Sequence, residues 1–426
     1  MPEITEITNP MFLDKTGEKI YEQLKMQNAL LSAMAAPKVT ELTSDLRGIQ
    51  NLVWDGLAPK ILAPGDQLNV DWSDGSKTYT VPNDIVHHSN VELKNGCKTS
   101  GMYLQWHFCS PFGMPFDAAE AFYYAEEELP AGTYNIIVGD NWGNNCKKGE
   151  QYQFTLTKPV PTGGQLTGFT GMPDQVPANW RVRSYTDANS TTPIEEVKPT
   201  AGTEGTNLGT LSFTGDGKLN SMQRVAYGYG RWSQSTVRQY LNSAESAGKW
   251  WKPQNKWDRP PEEAATRPGF LSGFSEEFLA VIKPVKVRTA LNTVTDSADG
   301  TYEDTYDRFF LPSLEEEFIN PQLSGVEGEA WDYWKAAVER STSTPWYKNY
   351  VDGGHPITYA INNKTSAQYV RLRSAYRGSA YNAWAVAPSG YVYNYSRATD
   401  AFRFAPACVI AKSQESPVPT DTGVEG

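Results

Sequence analysis

The chain is predicted to be multidomain and rich in β-structure: an N-terminal helix, an all-β sandwich or jelly-roll domain, and a C-terminal α+β domain. Three observations lead there. At 426 residues the chain exceeds what one core ordinarily spans, so two or three domains are expected. Its 35 Gly and 28 Pro supply turns for many short strands. The apolar period also changes along the chain, from helical to two-residue and then to a mixture.

The helical part comes first. Tyr21, Leu24, Asn28, Leu31 and Ala35 follow 3-4-3-4 spacing, the seam of a short coiled coil with an Asn at a core position. Such a helix either packs on its own chain or joins copies of it. Leu42, Leu46, Ile49 and Val53 mark a second stripe, ended by Asp55-Gly56. Residues 1–57 are therefore read as a helical attachment or oligomerisation segment.

From Ala58 to Thr157 the period is two. Leu68, Val70 and Trp72 alternate with polar residues, as do Tyr152, Phe154 and Leu156. GMYLQWHF, AFYYAEE and TYNIIVG add strands, parted by Ser73-Asp74-Gly75, Asn95-Gly96 and Pro130-Ala131-Gly132. Residues 58–157 are read as a β-sandwich. Residues 158–165, around Lys158-Pro-Val-Pro-Thr-Gly-Gly164, are read as a linker.

Residues 166–412 mix short helices and strands, hence α+β. Ser233 and Ser235 can cap a helix carrying Val237, Tyr240 and Leu241, and Ser275 can cap another. Ser313 and Glu316 form a capping box, with Glu315, Glu316 and Glu317 expected to cap and solvate a helix. A helix from Glu329 to Arg340 would set Trp331 and Trp334 on one face. Trp250, Trp251, Trp331 and Trp334 are read as core. The polar residues 413–426 are expected to be disordered.

Charge and motifs exclude several functions. A net charge of −11, with no basic cluster, argues against nucleic acid as a partner. The absence of a run of ~18 apolar residues argues against membrane insertion. The start, MPEITEITNP, has no signal-like apolar stretch, so folding in a cytoplasm is expected. Cys97, Cys109, Cys146 and Cys408 form no CxxC, and free thiols are expected. His87, His88, His107 and His355 match no tight ligand spacing, so structural roles are preferred to a metal. No G-x-S-x-G elbow and no GxxxxGK[ST] loop occurs. No catalytic residue, metal or cofactor is assigned.

One stretch stands apart. Between Thr365 and Ala411 there is no Lys and no Glu, and Asp400 is the only acid. Small residues alternate there with Tyr, Trp, Asn and Ser, which give contact area at low entropy cost. Pro388-Ser-Gly390 is a turn joining Tyr381–Ala387 to Tyr391–Tyr395, a hairpin in which Tyr391, Tyr393 and Tyr395 would share a face. That hairpin is either a Tyr-rich core element or an exposed contact surface, and exposure is the preferred reading.

Tyr369-Val-Arg-Leu-Arg-Ser374, Pro388-Ser-Gly390 and Arg403-Phe-Ala-Pro-Ala407 together resemble the C-terminal variable module of retroelement-diversified proteins of gut bacteriophages and prophages. RWSQSTVRQYLNS, GFLSGFSEEFLAVI and DRFFLPSLEEEF look like the same family, and FYYAEEELPAGTYNIIVG resembles the β domain that precedes the module in phage structural proteins. The resemblance implies a variant C-type lectin fold related to formylglycine-generating enzymes. It also implies changeable side chains on a fixed scaffold.

Carried onto this chain, the ligand-binding positions would be Ser379, Asn382, Ala383, Ala385, Ala387, Tyr393, Asn394, Ser396, Ala398, Thr399 and Asp400, with Tyr381, Trp384 and Tyr395 as aromatic anchors. Arg371, Leu372, Arg373, Phe402, Arg403 and Phe404 would be scaffold. Calcium-lectin triplets are absent, and this domain has Cys408 alone where the enzymes need a pair. The resemblance thus implies a non-enzymatic virion protein, made in the bacterial host cytoplasm. It would bind a bacterial cell-surface protein or glycan, and its N-terminal segment would meet other virion proteins, in a homotrimer. The alternatives are a carbohydrate-active virion enzyme and a passive capsid or baseplate decoration protein.

Overall fold

The computed structural model describes residues 23, 45–118, 128, 130–137, 151–159, 161–162, 183–185, 193–196, 206–210, 227–254, 258, 260–339, 346–347 and 355–412. The coil seam at 21–35, the strand expected at 121–127, Cys146, half of the linker and the tail 413–426 lie outside them. The described residues form short strands in several, almost wholly antiparallel sheets, with few helices.

The second helical stripe is α1 (Leu46–Trp54), which buries Leu46, Ile49 and Val53 as their spacing requires. Asp45 caps it, its Oδ1 accepting from Gly48 N at 2.8 Å. Three long strands follow: β1 (Gln67–Ser73), β2 (Thr78–Glu92) and β3 (Lys98–Trp106). The expected alternation holds in β1, where Leu68, Val70 and Trp72 are buried.

Two strands from far downstream complete this sheet. They are β6 (Phe309–Phe310) and β10 (Ala407–Ala411), and the strand order is β1-β2-β3-β10-β6. Cys408 faces Leu104 and Ile410 faces Met102 in the antiparallel register. This corrects the division into a sandwich at 58–157 and a separate domain at 166–412. Residues 67–106 share both a sheet and a hydrophobic core with 227–411. The strands at Gly132–Ile137 and Gln151–Leu156 belong to a different, three-stranded sheet with Thr206–Thr210. Period-two patterning identifies a strand but not its partner, and here the partner lies some three hundred residues away.

The core is aromatic. The Trp72 and Trp106 rings meet edge-on at 5.2 Å, Phe270 lies within 5.3 Å of both, and Trp72 Nε1 donates to Phe270 O. Trp250, Trp331 and Trp334 are buried as expected, and Trp251 is half-buried. Helices α2 (Thr236–Leu241) and α3 (Glu276–Val281) begin at the expected caps, with Ser235 Oγ accepting from Arg238 N and Ser275 Oγ from Phe278 N. The last helix, α4 (Asp332–Ala337), is shorter than the 329–340 expected.

The capping box at Ser313 forms, with Ser313 N donating to Glu316 and Glu316 N to Ser313 Oγ. No helix follows it, because Phe318 adopts the left-handed φ of 60° and ends the turn. Glu315, Glu316 and Glu317, expected in solvent, are all buried. Glu315 accepts from Gly325 N, Glu316 from Arg373, and Glu317 from Gln105 Nε2.

Candidate ligand-binding hairpin

The predicted hairpin exists. β7 (Val370–Ala375), β8 (Asn382–Val386) and β9 (Val392–Arg397) form a three-stranded sheet with β8 in the middle. Pro388 and Ser389 occupy the turn, Gly390 N donates to Ala387 O, and Gly390 takes a φ of 82°. That is a type I turn closed by a left-handed glycine. The register slips between Ala383 and Ala385. The ladder is therefore bulged at that step.

Two arginines of the R-L-R-S run hold this region from below. Both are at most 2% exposed. Arg371 Nη1 donates to Ala383 O at 3.2 Å and Ser396 O at 3.1 Å, while Nη2 donates to Arg397 O at 2.8 Å and Asp400 O at 3.1 Å. The guanidinium thus ties both arms of the hairpin and the turn after it through main-chain carbonyls alone. Burial lowers its pKa, and Asp400 partly restores it.

Arg373 reaches the other way. It makes a forked contact with Glu316 and donates to Leu311 O, Arg288 O and Glu327 O. Between them Leu372 fills the core, and Ser374 Oγ links Leu314 N to Glu327 Oε2. Arg403 Nη1 bonds Ser110 O, and the Phe402 ring lies under Arg371 at 4.6 Å. Of the residues expected as scaffold, Arg371, Leu372, Arg373 and Phe404 are buried and Phe402 and Arg403 are half-buried.

The expected contact residues fare differently. Ser379, Asn382, Ala383, Ala385, Ala387, Ser396 and Ala398 are buried, which corrects their reading as an exposed surface. As the middle strand, β8 has no free edge, and Ala383 and Ala385 lie at 0% exposure, so a larger side chain there would overpack. Asp400 is half-buried and caps its own turn, accepting from Arg397 N at 2.9 Å. Tyr381, Trp384 and Thr399 are half-buried and reach the surface. The side chains of Tyr393, Asn394 and Tyr395 lie outside the described residues.

Residues not singled out complete the surface. Tyr227 packs on Tyr381 with ring centroids 5.2 Å apart, the Arg397 guanidinium lies 4.3 Å from the Tyr227 ring, and Thr399 N donates to Tyr227 O. Tyr376 meets Trp384 edge-on at 5.9 Å. Tyr227 lies outside the Lys-free segment, so local composition could not reveal it. Gly230 lets the segment after Tyr227 approach: its N donates to Ala380 O, and a Cβ there would sit 2.7 Å from Asn382 O. Burial beside Tyr227 raises the Tyr381 pKa, so its hydroxyl stays a neutral hydrogen-bonding group.

Among the described residues, three polar atoms of the hairpin are buried without a hydrogen-bond partner: Asn382 Oδ1, Trp384 Nε1 and Ser396 Oγ. Such atoms cost about 1–3 kcal/mol each.

The histidines have structural partners. His107 Nδ1 lies 2.8 Å from Asp84 Oδ2, and His88 Nε2 lies 2.7 Å from Leu62 O. His87 sits between Glu329 and Asp332. His355 Nε2 lies 2.7 Å from Tyr333 Oη, and burial holds its pKa well below the usual imidazole range. Among the described residues no group of three or more His, Cys, Asp or Glu is arranged to hold a metal ion.

A buried acid pair does occur, Glu316 and Glu327, in one cleft. Both carboxylates are occupied: Glu316 by Arg373 and Ser313 N, Glu327 by Ala290 N and Ser374 Oγ. Burial raises the Glu327 pKa, with Arg373 opposing. A carboxyl raised in this way contributes stability that is full below its unfolded pKa and lost as pH rises through its folded one. Glu327→Gln, which keeps an acceptor for Ala290 N, is therefore expected to flatten the decline of unfolding free energy between mildly acidic and mildly alkaline pH. Denaturant titrations across that range check it, and an unchanged decline would remove Glu327 as its source.

A family model described as a domain of unknown function (DUF6273) matches residues 211–412. No curated protein and no solved structure matches the chain. The matched range contains both arginines, the hairpin and β10. It leaves out β3, to which β10 is hydrogen-bonded.

Proposed function

We propose that the chain is a non-enzymatic binding protein of a bacteriophage virion, with the β8–β9 hairpin as a replaceable contact element on a C-type-lectin-like scaffold. The observation that carries this reading is the Arg371 clamp. It grips the hairpin through four carbonyl oxygens, so hairpin side chains can change while the main-chain anchorage persists.

The contact surface is narrower than composition suggested. It centres on Tyr381, Trp384 and Thr399, flanked by Tyr227, Tyr376 and Arg397. Aromatic residues and Arg dominate binding energy at protein contacts. The ligand class is a bacterial surface protein or glycan. A homotrimer joined through residues 1–57 would multiply weak contacts into firm attachment.

The double variant Tyr381→Ala/Trp384→Ala tests the reading. Adsorption of the purified protein to bacterial envelope material should fall by about tenfold or more, the effect of losing aromatic anchors. The melting temperature should drop by only about a few degrees. Full adsorption despite both substitutions, or a collapse of the fold, would return the hairpin to a core element.

A further inference from the structure

A second concave site lies away from the hairpin, between β2 and β4 (Val285–Ala290), which pairs with β5 (Tyr302–Asp307). Leu93, just after β2, is bridged to Val285, and beyond that bridge the two strands belong to different sheets. The opening between them is a cavity of about 560 Å³, lined by Ser89–Glu92 on one side and Val285–Arg288 on the other. That volume falls in the range of small-molecule sites.

The cavity is bounded at both ends. The Leu93–Val285 bridge closes one. Segment 325–331 lines the other, held to β2 by His87, whose Nε2 lies 3.1 Å from Glu329 and Nδ1 3.2 Å from Asp332. A compact ligand or the end of a chain therefore fits it better than a polypeptide running through.

The wall chemistry narrows the ligand. Lys286 Nζ lies 3.2 Å from Glu92 and 3.4 Å from Asp304, and Arg288 holds Asp304 in a two-pronged contact. At the base Arg373 holds Glu316. Lys286, Arg288 and Arg373 thus each have a carboxylate already, and leave a charged ligand no free counter-charge on these three cations. A neutral ligand with many hydroxyls can instead bond to donors and acceptors that the pairs already hold in place. Tyr103, half-buried and 5.6 Å from the Trp331 ring, adds an aromatic surface on which the C–H face of a sugar ring packs.

We propose that this cavity binds one or two sugar units of a neutral glycan, independently of the hairpin. The full chain should give a saturable response in saturation-transfer NMR with at least one of lactose, cellobiose and N,N′-diacetylchitobiose at millimolar concentration. Asn90 lines the cavity and is exposed, so Asn90→Trp should block the cavity without unfolding the chain. It should weaken that binding by about tenfold or more, with the melting temperature retained, whereas Tyr381→Ala/Trp384→Ala should leave it unchanged. Silence from all three disaccharides overturns the proposal. So does undiminished binding by Asn90→Trp, or stronger binding of sialyllactose or inorganic phosphate than of the neutral sugars.

Discussion

Arg371→Met is expected to lower the unfolding free energy by about 3–5 kcal/mol, because four carbonyl oxygens lose a charged donor at about 1 kcal/mol or more each. Methionine keeps much of the buried volume, so the loss reports hydrogen bonding rather than a cavity. Ala383 O and Ser396 O lie on the two arms, while Arg397 O and Asp400 O flank the turn that follows. Main-chain amides of the hairpin should therefore exchange with deuterium faster than those of β1–β3. Arg371→Lys restores charge but not the planar fork, so an intermediate loss is expected. Urea titration with hydrogen exchange checks both variants. A loss below about 1 kcal/mol, within the range of an ordinary surface change, would show that the arms hold each other without the clamp.

The second large effect belongs to the buried pair beneath the adjoining loop. Glu316→Ala should cost about 3–5 kcal/mol, since it strands a guanidinium that is 1% exposed among carbonyls without the carboxylate it is bonded to. It also opens the capping box at Ser313 N and frees segment 325–329, where a Cβ on Gly328 would lie 3.0 Å from Glu316 Oε1. Arg373→Met should cost a similar amount. The double variant Arg373→Met/Glu316→Gln should cost clearly less than the sum, because neither charge is then left alone. Additive losses in a double-mutant cycle would mean that the two side chains act separately.

Much of the local structure was legible from residues. The stripe Leu46, Ile49, Val53 gave α1, Ser235 and Ser275 gave their helices, and Pro388-Ser-Gly390 gave the hairpin turn. These are short-range signals, in which a side chain and the main chain it caps lie within a few residues. The sheet that joins β3 to β10 left no such trace, since strand patterning is silent about partners. Hairpin exposure misled for a related reason: alternating small residues suit a shallow surface and a tightly packed middle strand equally well, and Ala383 and Ala385 take the second role. The three glutamates at 315–317 misled because local capping logic could not foresee the Gly325 amide, Arg373 from β7 and Gln105 from β3 arriving to bond Glu315, Glu316 and Glu317 in turn.

The position of β10 has a consequence for how the molecule is made. It lies between β3 and β6, and Gln50 Nε2 on α1 donates to Ala411 O across 361 positions of sequence. Contacts of such separation are slow to form. During synthesis β3 emerges long before its neighbour, and its open edge must wait on the ribosome for residues 407–411. Until then the nascent chain presents an unpaired strand edge, which is a template for pairing with another chain.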